Sequence, residues 1–227
     1  MIRDWKDYTD SNGLPVQMNM DGGDSAQRLG MIAVATAKGC SMPNLPSYDK
    51  ISLLEVAPGI YIRNPTTWNN PNDFSRDQQT SLVIGMGFKG DKERLKRLFK
   101  AHASRFFKYQ NADIASPENI GQYFRGLEWN FTYPFFWFSD LFMLGGVIIR
   151  CIQARDPNNV GDDLNLILSL LQAKDRMATP WSFLARKIYK WFRPFSIQYA
   201  LDWYFRPETL AAPMNELYHP LVASELT

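Results

Sequence analysis

Apolar residues in this 227-residue chain recur every three or four positions in one segment after another, and no stretch alternates apolar with polar residues long enough to build a sheet. That spacing restricts the fold to packed helices. The first helix begins at Asp24 or Ser25, either of which can cap it. Its apolar face is Ala26, Leu29, Ile32, Ala33 and Ala37, and Lys38 and Gly39 close it. A short helix is expected from Ser47 to Val56. Pro58, Gly59, Pro65 and Pro71 then bracket a short extended segment, GIYIRNP, and an aromatic loop, TTWNNPN. Ser75 is placed to cap a helix over SRDQQTSLVIGMG, ended by Gly87 or Gly90. A basic helix follows from Asp91 to Lys108, with Leu95, Leu98, Phe99, Ala103 and Phe106 inward. Residues 109–133 show no clear element.

The second half reads as an apolar helix from Phe136 to Ala154, a turn at Asp156 and Pro157, and a helix from Asp162 to Lys174 with Leu166, Leu170 and Leu171 on its core face. Thr179 caps the next helix, with Pro180 in its first turn and Trp181, Leu184, Ile188, Tyr189 and Phe192 inward. A last helix runs from Phe195 to Tyr204. The expectation is an all-α fold: one domain over residues 1–227, made of antiparallel helical hairpins, with a partial (α/α) toroid as one form of it. Residues 1–23 form an irregular N-terminal segment.

Charge and motifs exclude several classes of function. A formal net charge of +2 creates no field that would attract nucleic acid or a membrane surface, so neither is an expected partner. The basic run from Lys89 to Lys108 reads as a solvated helix face. Cys40 and Cys151 are too few for a disulfide framework, and His102 and His219 too few for a histidine-rich metal site or a histidine triad. Nucleotide-binding glycine loops and the GxSxG elbow are missing, so no cofactor is expected. The opening MIRDWKDYTD lacks the apolar region of a secretory signal. The longest apolar stretch, Pro134 to Ile149, is short for a membrane span and carries Asp140, so it reads as a buried helix.

What remains are acid-rich helix starts: Asp21 and Asp24, Asp73 and Asp77, Asp162 and Asp163. A carboxylate at a helix N-terminus is favoured by the dipole and by unpaired N–H groups, which makes capping the plain explanation. The sharper one is that several starts converge. Asp24, Asp77 and Asp163 are then candidate carboxylates of an acidic pocket for a sugar, a cation or a partner's basic side chain, with Arg28, Arg76, Trp68 and Asn69 as binding residues. Asp77 is expected to be buried against Arg28 or Arg76. A large aromatic beside proline turns, such as Trp68, more often plugs the edge of a core than stacks on a sugar.

The motifs DGGDSAQRLG, WNNPNDFSRDQ followed by LVIGMG, DPNNVGDDLN, and LDWYFRPET with NELYHPL, in this order from Asp21 to Leu221, resemble a family of proteins of unassigned activity encoded by tailed bacteriophages. The resemblance implies a viral source rather than a mechanism, and no catalytic residue is carried over. It implies a non-enzymatic virion-associated structural protein, assembled in host cytoplasm. Such a protein is expected at the tail, bound to other virion proteins through aromatic and proline-rich surface segments, with host surface glycan as a further partner. The alternative is a carbohydrate-active helical protein using the acidic pocket.

Overall fold

A computed structural model describes residues 4–17, 19–128, 132–133, 136–153, 162–177, 180–188, 190–191, 214 and 216–218; the side chains of 132, 133, 136 and 162–164 lie outside that description. The fold is all-α. Six helices carry named bounds: α1 (Ser25–Ala37), α2 (Arg76–Lys89), α3 (Lys92–Ala103), α4 (Pro117–Gly126), α5 (Phe138–Gln153) and α6 (Asp162–Arg176). Two short antiparallel hairpins accompany them, β1 (Glu55–Ala57) with β2 (Ile60–Tyr61) and β3 (Thr132–Tyr133) with β4 (Phe136–Trp137). The segment expected as a short helix after Ser47 is a 3-10 turn, Tyr48–Leu53, and GIYIRNP supplies β2 as expected.

The centre is the crossing of α1 and α2. Residues 25–35 of α1 and 78–87 of α2 are all buried, as a helix enclosed on every side must be. Two glycines bring the backbones together. A Cβ on Gly30 would run into the Ser81 carbonyl, and one on Gly85 would lie 2.7 Å from the Gly30 carbonyl oxygen. α6 packs Ile167, Leu168 and Leu171 against Met31, Ile32 and Ile84 of this pair, and turns Leu166, Leu170 and Ala173 toward Met143 and Val147 of α5. The expected core positions of Leu166, Leu170 and Leu171 are therefore found.

Several expectations change. α4 forms in the stretch that had shown no clear element. Ser116 stands at its cap position, Pro117 is at the first helical position where a missing N–H is harmless, and Glu118 follows in the first turn. α3 stops at Ala103, and the chain turns away through Phe106 and Phe107, which adopt left-handed backbone, φ 55° and 57°. Phe106, expected inside, is consequently 90% exposed, and Ala103 is exposed as well. α5 is buried on one side only. Phe138, Leu141, Ile149 and Ile152, spaced along the opposite face, are exposed. Leu184, expected inside the helical stretch 181–188, is exposed, and Ala185 is buried instead. The expected turn at Asp156 and Pro157, the cap Thr179, the core positions Tyr189 and Phe192, the helix from Phe195 to Tyr204 and His219 lie outside the described residues.

Candidate functional site at the joined starts of α1 and α2

The crossing brings the first turns of α1 and α2 to the same end of the molecule, and two loop motifs close over them. Asn64 organises the closure. Its buried amide donates to Asp10 (2.9 Å) and to the Ser25 hydroxyl (3.0 Å), while its carbonyl oxygen accepts the backbone N–H groups of Thr66 and Thr67. Gly22 packs so closely on this loop that a Cβ would lie 2.5 Å from Asn64 Cγ, which ties the DGGD segment to the loop before Trp68.

Trp68 is 37% exposed and held at two places. Its indole N–H donates to Asp21 (2.6 Å), and the Arg63 guanidinium lies 5.2 Å from its ring centroid. Arg63 also donates to the Gly23 carbonyl (3.4 Å), the Ser75 hydroxyl (3.2 Å) and the Asp73 carbonyl, joining the loop to both helix starts. Trp68 is therefore a restrained ring at the rim. The core position it was expected to fill belongs to Phe74, fully buried beside Tyr61.

Asp24 and Ser75 occupy the cap positions of α1 and α2, yet neither side chain makes a cap hydrogen bond. Asp24 instead accepts from two amides, Gln17 Nε2 (2.9 Å) and Gln78 Nε2 (3.0 Å). Ser75 donates to Asp77. Asp77 is half-buried, and that hydroxyl takes the place of the expected ion pair: among the described residues Asp77 pairs with neither Arg28 nor Arg76. Arg28 is buried and donates to the Val16 carbonyl (3.2 Å), so it braces the site from within rather than facing a ligand. Arg76 is half-buried, its Nε without a hydrogen-bond partner among the described residues, and Asn69 is exposed beside Trp68. The Asp163 side chain lies outside the described residues; nearby, Asn165 is buried and accepts from Ser81 of α2 (3.1 Å).

The structure thus gathers Asp24, Asp77, Trp68, Asn69 and Arg76 at one end. Sequence reasoning missed Arg63, Gln17 and Gln78. Arg63 had a readable signal, a lone cation in an extended segment between prolines; the two glutamines had none, because an amide becomes informative only once its partner is known.

A second polar set lies one turn deeper in α2 and is closed to water. His102 takes a hydrogen bond from Gln79 (2.7 Å) at Nε2 and faces the Tyr123 hydroxyl (2.8 Å) at Nδ1. Burial lowers its pKa to about 4, with nearby Arg105 adding to the shift, so the ring is neutral at pH 7. Thr80 bonds the Ser116 hydroxyl (3.2 Å), and Arg150 of α5 pairs with Glu118 of α4 at 2.7 Å, both partners buried. Among the described residues no group of three or more His, Cys, Asp or Glu side chains could hold a metal ion, and no helix is long and apolar enough to cross a membrane. No protein-family model, curated protein or solved structure matches the chain.

Proposed function

We propose that the joined starts of α1 and α2 form a carbohydrate-binding site, and that the chain serves as a virion-associated protein of a tailed bacteriophage. The first part is carried by Trp68: a ring that keeps 37% of its surface exposed while fixed by Asp21 and Arg63 has little freedom left to lose when a sugar stacks on it. Asp21 touches the ring and Asn69 follows it in the chain, while Arg63 links it to Ser75 beside Arg76 and Asp77, so acceptors and donors for sugar hydroxyls lie at the same end as Asp24. The arrangement favours binding over hydrolysis. Both Asp24 oxygens accept from amides and Asp77 accepts from Ser75, which sets the two carboxylates as oriented acceptors for ligand hydroxyls.

The virion reading rests on the resemblance to phage proteins and is favoured by the outer face of α5. Exposed Phe138, Leu141, Ile149 and Ile152 along one helix face suit attachment to a neighbouring protein. An array of neutral and acidic oligosaccharides that includes O-antigen fragments tests the first part, and absence of binding to all of them would refute it. Mass spectrometry of purified particles tests the second: the chain should appear with the tail proteins, and its absence at a sensitivity that detects them would refute it.

A further inference from the structure

Gln78 stands out because it is fully buried and yet touches the rim of the site. Its Oε1 accepts the backbone N–H of Gln27 at 2.9 Å. A backbone N–H can only donate, so the amide has one permitted orientation and Nε2 must face Asp24, which it does at 3.0 Å. Gln17 Nε2 meets the other Asp24 oxygen at 2.9 Å. Both groups presented to Asp24 are neutral donors, and the direction of the Gln78 amide is set by its bond to the Gln27 backbone. Among the described residues no ion pair involves Asp24, whose two oxygens are met by these amides.

Resting on the carbohydrate-binding reading, we propose that Gln78 is a positioning residue: through its fixed amide it holds Asp24 as a charged acceptor for ligand hydroxyls. Ligand recognition then depends on a carboxylate at position 24. The α1–α2 link that Gln78 also makes is a separate contribution, and an exchange of side chains separates the two.

In Gln78→Glu, one carboxylate oxygen still accepts from Gln27, but the other faces Asp24 with like charge. In the double variant Asp24→Asn with Gln78→Glu, donor and acceptor trade places. The new amide at position 24 accepts from Gln17 through its oxygen and donates through its nitrogen to the new carboxylate at position 78, which in turn accepts from Gln27. All three hydrogen bonds can form while the charge leaves position 24. The readouts are melting temperature, taken without ligand, and affinity for the best-binding oligosaccharide of the array. Gln78→Glu should melt about 5 °C or more below wild type and bind at least about tenfold more weakly. The double variant should recover most of the melting temperature and none of the affinity.

Affinity that returns together with the melting temperature would make Gln78 a purely structural link and overturn the proposal, as would wild-type affinity in Gln78→Glu. Wild-type protein that binds no oligosaccharide overturns the reading of the site and the proposal with it. Should Gln78→Glu fail to fold, Gln17→Glu sets the same charge against Asp24 from a half-buried position and Asp24→Asn removes the acceptor charge while keeping its shape; wild-type affinity in both would equally overturn the proposal.

Discussion

Residues 75–81 run through two polar regions that differ in kind although a single helical turn separates them. Ser75, Arg76 and Asp77 stand half-buried at the rim, where Ser75 accepts from Arg63 of the neighbouring loop and donates to Asp77. Gln79, Thr80 and Ser81 are buried and bond inward, to His102, Ser116 and Asn165. The contrast shows that polarity in a helix is not itself a sign of a site. A polar group inside a closed network specifies packing, and one at the edge of the network remains available to a ligand. Substitutions in the inner region should therefore destabilise the fold, and those at the rim should leave stability nearly intact and change binding.

The largest effect is expected at the buried pair. Glu118→Leu removes the buried carboxylate that Arg150 pairs with and should destabilise by about 3 to 5 kcal/mol in urea unfolding, whereas Glu118→Leu with Arg150→Met should regain most of that loss. A small loss in the single variant would mean that the inner network is hydrated and resembles the rim.

Acid should distinguish the regions next. The folded-state pKa of His102, about 4, lies below its ordinary value of 6.5, so the unfolded chain takes up the proton first as pH falls. The contribution of the neutral ring is fully present above about pH 6.5 and is lost progressively toward pH 4, by up to about 3 kcal/mol. His102→Gln should flatten that part of the stability curve relative to wild type. Parallel curves for the two proteins would contradict the buried, neutral assignment.

Gly30→Ala forces a methyl group into the Ser81 carbonyl and should cost about 1 to 3 kcal/mol, measured by denaturant unfolding. Because this crossing also sets the two helix starts side by side, the variant should weaken ligand binding as well, which joins the regions where the other substitutions separate them. The smallest effect belongs to the rim. Asp77→Asn keeps the shape at the start of α2 and should cost only about 0.3 to 1 kcal/mol, since no buried cation depends on it. A loss of several kcal/mol would restore the buried pair first expected from the sequence.

Much of the helical framework was legible in the sequence, because the apolar residues of α1 and of α6 recur at helical spacing even though each helix is buried on more than one side. α4 was not. Its buried face mixes the polar Glu118, Asn119 and Gln122 with Tyr123, so a search for apolar periodicity passes over it. Phe106 failed for a related reason: helical spacing says nothing of the left-handed backbone that follows the helix end. In the site, the acid-rich starts were visible as motifs, and Asp24 and Asp77 do stand at the same end of the molecule. Their partners were not visible, since Asn64, Arg63 and Gln78 gain their roles across the loop closure and the α1–α2 crossing. Trp68 was misread because its proline-rich surroundings suit a core plug equally well; Phe74 fills that place six residues later.

The most direct test of the account is binding by Trp68→Ala, measured by titration calorimetry with the best-binding oligosaccharide of the array and accompanied by a melting curve. The half-exposed ring should contribute little to the core, so the melting temperature should fall by no more than a few degrees, while affinity should drop at least about tenfold. Affinity equal to wild type would contradict the claim that this end of the molecule binds carbohydrate, and a collapse of the melting temperature would return Trp68 to the core.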